Sequence, residues 1–499
     1  MRIDRFRCNA NATRLAATRN EACSFVLDES QTHTRDGERG YAVRCRRIGR
    51  GSSALIATVL CTVSSFVGAI SSASAQAISP LTPAKSPPWN SETVFEPVPY
   101  AQYWSHYPGE KIRPEDTPVL TRQWPGYEPP GIRYHSWMFY PSVSAGALFD
   151  SNVFATSSNH ESDIAAVLHP SLRVTRESES NPVTFDAYVK SLQYSHFSSL
   201  DQTDASARVN GRIDLRHDSA ILYNFQAAFL HEAIGSLSSP LGAVTPTPYA
   251  YVHENVTYWK QFGRLGMSVG FRNDNYDFGS ARAQNGSTIS QDSRDGSIYA
   301  GHARVDYAFS GNLGAFSAFE GNVRDLRGSP TAPLGSHGYR SLSGFNFNLT
   351  RLISGELGAG FTSQRFDDPL IGTVAGPAYR ALLRWSPTRS VDVTFKAEEI
   401  TTEAVETIAS GVRAQALMLG VDYELRRNVV LSTVGGYEND KFVGQDRQDQ
   451  VFSATTSLQY LLNRFSSVSL QYKYVNRASN VPTAVYDKHE IGLDVTAHF

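Results

Sequence analysis

The chain has 499 residues, 41% of them hydrophobic and 19% charged, with a formal net charge of −2 and a mean hydropathy of −0.31. Residues 1–76 hold more arginines than acids, so the remainder is acidic, which argues against nucleic acid as a partner. Past the N-terminal region no run of about eighteen apolar residues occurs, which excludes helical membrane spans.

In chain order, the first organised feature is an export signal. Arg44, Arg46, Arg47 and Arg50 precede the apolar stretch Ala54 to Val63, and small residues follow from Ser71 to Ala77. The order basic, apolar, small is that of a secretory signal peptide, with cleavage expected just before Gln76 or Ile78. Residues 1 to about 42 are then surplus: either the start lies too far upstream, with Val43 the true initiator, or the signal is of an extended kind. The four cysteines, Cys8, Cys23, Cys45 and Cys61, all precede the cleavage site, so the exported chain is expected to hold no disulfide and no thiolate metal site. Cys61 follows Leu60 and does not read as a lipid-anchored cysteine. Residues 1–75 are therefore read as a surplus extension plus signal peptide.

Residues 76–138 are proline-rich, as in Ser86-Pro87-Pro88-Trp89, Glu96-Pro97-Val98-Pro99-Tyr100 and Trp124-Pro125-Gly126-Tyr127-Glu128-Pro129-Pro130-Gly131. Such a segment has no usable period and cannot build a core. It reads as a disordered or extended periplasmic arm, with Trp89, Tyr100, Tyr103 and Trp104 as candidate anchors at a barrel mouth.

Residues 139–499 show one rhythm throughout. Strand-like segments of about 10 to 14 residues, a length suited to tilted membrane strands, recur roughly 18 times. Ala205, Ala207, Val209, Ile213 and Leu215 alternate with Ser206, Arg208, Asn210, Arg212 and Asp214. Tyr299, Val305 and Tyr307 oppose His302, Arg304 and Asp306; Val391, Val393, Phe395 and Ala397 oppose Asp392, Thr394, Lys396 and Glu398. Because strand side chains alternate faces, one face is apolar and the other charged, and charges on the inward face imply water there. Tight turns at 216–218, 309–312, 386–389, 426–428 and 462–464 alternate with longer loops at 232–249, 278–294, 326–337 and 440–447, the layout of short periplasmic turns and long outer loops. The fold expected is all-β: a transmembrane antiparallel up-and-down β-barrel of about 18 strands.

Tyr223, Trp259, Phe309, Trp385, Tyr423, Tyr460, Phe465 and Phe499 gather near the short turns and read as an interfacial girdle. The last strand sets Ile491, Leu493, Val495, Ala497 and Phe499 against Glu490, Asp494, Thr496 and His498. Its apolar face ending in phenylalanine reads as the signal taken by the barrel-assembly machinery.

The stretch from Val119 to about Arg176 carries a family resemblance. It includes Val119-Leu120-Thr121-Arg122, Tyr127-Glu128-Pro129-Pro130-Gly131-Ile132-Arg133, Phe139-Tyr140-Pro141-Ser142-Val143, Phe149-Asp150-Ser151-Asn152-Val153-Phe154-Ala155-Thr156 and His169-Pro170-Ser171-Leu172. These segments resemble the second putative β-barrel porin family of proteobacteria, with coverage from about residue 119 onward, by motif to about residue 200 and by strand rhythm beyond it. The resemblance implies an outer-membrane barrel, in some members linked with exopolysaccharide export, and implies no catalytic residues.

Candidate sites follow from the faces. Asp150-Ser151-Asn152 reads as a capped turn rather than a cation site. Asn273 to Asp277, and Asp440, Asp446 and Asp449, are expected in outer loops without the spacing and glycine of a calcium loop. No metal-binding histidine pair or phosphate loop occurs, so neither an enzyme nor a cofactor is expected. The pore-lining candidates are Arg208, Arg212, Asp214, Arg304, Asp306, Glu320, Arg324, Arg380, Arg384, Asp392, Lys396, Glu398 and Asp494, with Asp186 and Glu490 on the same face. The function expected is passive diffusion of small polar solutes across the outer membrane of a Gram-negative bacterium. The partners expected are outer-membrane lipid, lipopolysaccharide and the assembly machinery. The alternatives are the outer-membrane component of exopolysaccharide export, its arm docking a periplasmic partner, and a non-conducting structural barrel.

Overall fold

The computed structural model describes residues 119–499 except 122–123, 125, 177, 179–180, 237–238, 329–332, 351 and 403–410. The expected signal peptide, the four cysteines and the arm aromatics Trp89, Tyr100, Tyr103 and Trp104 lie outside the described residues.

The chain forms a closed antiparallel barrel of 18 strands. In order they are β1 (Trp137–Asp150), β2 (Asp163–Arg176), β3 (Val183–Tyr194), β4 (Gln202–Arg216), β5 (Ser219–Glu232) and β6 (Thr247–Phe262). Next come β7 (Leu265–Phe278), β8 (Gly296–Ala308), β9 (Leu313–Leu326), β10 (Ser336–Thr350), β11 (Ile353–Phe366) and β12 (Thr373–Thr388). The last six are β13 (Val391–Thr402), β14 (Gly411–Arg426), β15 (Val429–Val443), β16 (Gln448–Asn463), β17 (Ser466–Ser479) and β18 (Tyr486–His498). Each pairs with its sequence neighbour, and β18 closes on β1 from Ser142↔His498 to Asp150↔Glu490. Closure leaves no free edge, which a lipid environment would not tolerate. A short strand, Ile132–Tyr134, folds back on Trp137–Phe139 at the start of β1.

Alternation decides which face meets which solvent. On β8, Arg304 and Asp306 are buried while Tyr299, Val305 and Tyr307 are exposed. On β18, Ile491, Leu493 and Val495 are exposed and Thr496 and His498 buried. The exposed face is aliphatic and aromatic; Phe271–Tyr299 and Phe319–Tyr339 stack between neighbouring strands with centroids 6.4 and 6.0 Å apart, cross-strand pairs that stabilise a ladder. An outward apolar band and an inward charged face are the two halves of a membrane barrel.

The tight turns fall at His217-Asp218, Gly263-Arg264, Arg389-Ser390, Arg427-Asn428 and Arg464-Phe465, and the longer loops at 151–162, 233–246 and 279–295, on the opposite end. Asp218 accepts from Lys260 Nζ at 2.6 Å, and that bond holds its carboxyl below the usual range. Several strands run 15 or 16 residues, longer than the alternation suggests, because the ladder continues past the apolar band.

That continuation corrects two expectations. Asn273 to Asp277 stand on β7, not in a loop, with Asp274 paired to Ile298 of β8. The expected loop 440–447 shrinks to 444–447: Asp440 and Asp449 are Cα partners across β15 and β16, leaving only Asp446 in the loop. The girdle also loses a member. Trp259 is 8% exposed and pairs with the buried Ala220 on the inward face, while its neighbour Tyr258 takes the outward place. Phe309, Trp385, Tyr423, Tyr460, Phe465 and Phe499 are exposed as the girdle requires.

Candidate functional site

The inward faces of β7 to β13 carry a continuous belt of opposite charges. Arg304 Nη2 lies 2.7 Å from Asp306 Oδ1 and 2.7 Å from Glu356 Oε2, and its guanidinium lies over the Phe316 ring at 4.2 Å. Glu398 receives Arg340 at 3.2 Å and Lys396 at 3.1 Å, and Arg380 is its Cα partner across β12 and β13. Arg272 stands 3.3 Å from Asp274 and 3.9 Å from Glu320, and Glu320 is in turn the Cα partner of Arg340. Strand pairing brings these groups together because inward positions on adjacent strands stand directly opposite one another.

The structure thus joins Arg304, Asp306, Glu320, Arg380, Lys396 and Glu398 into one wall. Arg324 is buried at the outer end of β9, opposite Ile298. Arg384 and Asp392 pair at 3.2 Å lower on the same side. Arg208 forms a separate patch with Gln226, Nη2 to Oε1 2.8 Å, and Arg212 pairs with Asp214 at 2.5 Å; both lie on β4. Asp494 stands at the seam opposite Gly146. Asp186 pairs with Arg173 and Glu490 with Lys473 and Lys488.

Sequence reasoning missed Arg272, Arg340, Glu356 and Lys488, and placed Asp274 in a loop. Arg340 and Glu356 sit on strands whose inward face carries small or apolar residues as well, namely Gly338, Leu342, Gly344, Gly358 and Gly360, so the polar period is thin there. The polar run after Arg272 hides its alternation because both faces are polar at the outer rim, where Asn273 bonds Glu254 at 3.2 Å.

Both mouths hold further structure. At the end that carries the tight turns, the 3-10 turn Val119–Thr121 packs inside the wall: Val119, Trp124, Val430 and Leu461 form a buried cluster joined by Leu120 and Tyr127. Val119 N–H donates to Asp392 Oδ2 at 2.5 Å, a carboxylate that also accepts from the Ser386 hydroxyl. At the outer end Asp150 pairs with Lys488 at 2.6 Å, and Asn152 bonds Thr156 and the Asp487 carbonyl, so Asp150-Ser151-Asn152 is the capped turn expected. Arg294 holds Glu232 through two hydrogen bonds of 2.7 and 2.9 Å and lies 3.8 Å over the Phe278 ring. Next to Arg294 in the same loop, burial raises the Asp295 carboxyl above its ordinary range, opposed by the Phe278 N–H and Arg327.

A family model described as "Putative beta-barrel porin 2" matches residues 124–499. A search of curated proteins finds no match. Among solved structures, Pseudomonas aeruginosa OccK5 (OpdH) aligns at 13% identity over 72% of this chain and 98% of its own, TM-score 0.37. Pseudomonas aeruginosa OpdL aligns at 12% identity over 73% and 99%, TM-score 0.38, and Acinetobacter baumannii OccAB4 at 11% over 72% and 97%, TM-score 0.39.

Proposed function

The chain belongs to the family described as "Putative beta-barrel porin 2", and from that premise we propose that it is an outer-membrane channel for passive diffusion of small polar solutes. The observation that carries this is the pairing of an aliphatic, aromatic outer face with an inward belt of ion pairs on β7 to β13. Ionised side chains kept away from water cost several kcal/mol each unless fully paired. Pairing in the belt is incomplete, with Glu320 Oε2, Arg380 Nε and Glu398 Oε2 left without a hydrogen-bond partner, so a lumen lined by them favours water, and a barrel of about 18 strands is wide enough to hold an aqueous path. Charges of both signs along such a path order water and suit polar, not apolar, solutes.

Pore-lining roles are assigned here to the belt residues Arg304, Asp306, Glu320, Arg380, Lys396 and Glu398, with the missed neighbours Arg272, Arg340 and Glu356. Arg208, Arg212 and Asp214 line a second patch. No step of bond-making is required of any of them. The expected partners are outer-membrane lipid on the outward face and the assembly machinery at β18.

Liposome swelling tests this reading. Proteoliposomes holding the full chain should swell in small sugars and amino acids faster than protein-free liposomes. Equal rates for every solute would overturn it.

A further inference from the structure

The outward wall of β7 to β10 is notched. Gly301 on β8 and Gly321 on β9 are Cα partners on the outward face, and the same row of the ladder continues to Phe271 on β7 and Tyr339 on β10. Two glycines therefore stand side by side between two rings. The stacked pairs Phe271–Tyr299 and Phe319–Tyr339 bracket them, leaving a groove of about 480 Å³ that Val323 and His337 also line.

Nothing in the chain fills this groove or calls for glycine in its floor. A Cβ at Gly301 would meet no atom within 4 Å, and one at Gly321 would touch the Phe319 ring at 3.7 Å, an ordinary contact. Neither glycine has a positive φ, and the register between β8 and β9 runs without a bulge. Glycine weakens a strand interior; where no turn or bulge asks for it, it suits the close approach of another molecule.

The rim of the groove carries the chemistry that selects that molecule. His337 is the Cα partner of Val323 on one side and of Arg365 of β11 on the other, and all three are exposed on the outward face. They stand two residues nearer the long loops than the glycine row, about 7 Å along the strands, and Arg365 lies two strands, about 10 Å, aside from Gly321. Among the described residues Arg365 makes no ion pair, and a guanidinium matches a phosphate with two parallel donors. Asp325, one outward position beyond Val323 and opposite Ser297, offers an oxygen ligand to the divalent cations that accompany crowded phosphates.

An apolar slot on the lipid side with a guanidinium at its loopward end fits an acyl chain joined to a phosphate. We propose that this face binds one lipopolysaccharide molecule, with a lipid A acyl chain over Gly301 and Gly321 and a lipid A phosphate on Arg365 and His337. The long loops of such barrels face the cell exterior, so the lipid that meets the slot is that of the outer leaflet. The inference goes beyond the channel reading and holds whether or not the lumen conducts.

Native mass spectrometry of the full chain refolded in detergent, with bisphosphorylated lipid A as the probe, tests the site. One lipid A should stay bound per barrel. Gly301→Val with Gly321→Val should lower the bound fraction severalfold in a barrel that still folds, since valine suits a strand better than glycine. Arg365→Gln should lower it likewise, and carries the test alone should the double variant fail to assemble. Lipid A stripped of its phosphates should bind the unaltered chain no better than intact lipid A binds Arg365→Gln. Gly435→Val is the control: a Cβ there also meets nothing within 4 Å, its partner Leu419 is exposed, and binding should be unchanged. Equal binding by all four chains would overturn the site, as would phosphatidylglycerol binding as tightly as lipid A. So would a dimer that the double variant loses while neither chain binds lipid A, because the slot would then join two copies of the barrel.

Discussion

Asp392 Oδ2 accepts the backbone N–H of Val119 at 2.5 Å, in a buried bond that joins residues 273 positions apart. Val119 is thereby tied inside the mouth that carries the tight turns, with Trp124 and Leu120 against Val430 and Leu461. A hydrogen bond to a charged group is worth about 1.5–3 kcal/mol, and the apolar cluster adds to it.

Asp392→Ala should release this strap, because both the Val119 and Arg384 bonds are lost. Trp124→Ala should do the same by removing the largest member of a cluster where such truncations cost about 3–5 kcal/mol. Limited trypsin digestion should cut faster at Arg133 in either variant while the barrel band stays intact. Unchanged cleavage would mean that the strap is not held by these contacts.

Leu493→Arg should destabilise the barrel by about 2–4 kcal/mol if the site lies near the bilayer midplane, as a cation does on a lipid-facing strand position. Leu493 is 51% exposed on the outward face, and Asp494 points inward opposite Gly146. Asp494→Arg should be tolerated. Denaturant unfolding in lipid vesicles ranks the two, and the reverse ranking would invert the face assignment.

Substituting Gly146→Val should prevent closure. A Cβ at Gly146 would sit 2.2 Å from the Leu493 carbonyl oxygen and 2.3 Å from Asp494 Oδ1, at the seam where β1 meets β18. Backbone cannot move aside there without breaking the ladder, and overpacking costs about 1–3 kcal/mol or more. The heat-modifiable folded band on gels should be lost; a normal folded fraction would show that the seam yields.

How far the sequence alone reaches is visible in single strands. On β8, Tyr299, Val305 and Tyr307 alternate with His302, Arg304 and Asp306, so period two sufficed to assign both faces. On β7 it failed from Arg272 onward: above the lipid band neither face must be apolar, so Asn273 to Asp277 read as loop while backbone pairing continued. Trp259 misled in the opposite way, since strand preference for aromatics holds on either face. The belt's ion partners were only half legible, because which inward charges meet depends on register, and register is set between strands. Val119 and Asp392 share no local signal at all; only the closed barrel brings them together.

Arg304→Gln should shift ion selectivity toward cations, since it leaves Asp306 and Glu356 without the guanidinium that bridges them. Glu356→Gln should shift it the opposite way. Reversal potentials in a salt gradient measure both, and shifts of the same sign would remove Arg304 and Glu356 from the conducting path.

The most direct test of a water-filled, conducting lumen is the single-channel current of the purified barrel in a planar bilayer, with and without residues 78–130. The full chain should conduct small ions, and the shortened chain should conduct equally or more, because Val119 to Thr121, Trp124 and Tyr127 pack in the mouth and add nothing to the wall. Silence from both would contradict the channel. Current from the shortened chain alone would make the arm a plug and favour the export alternative.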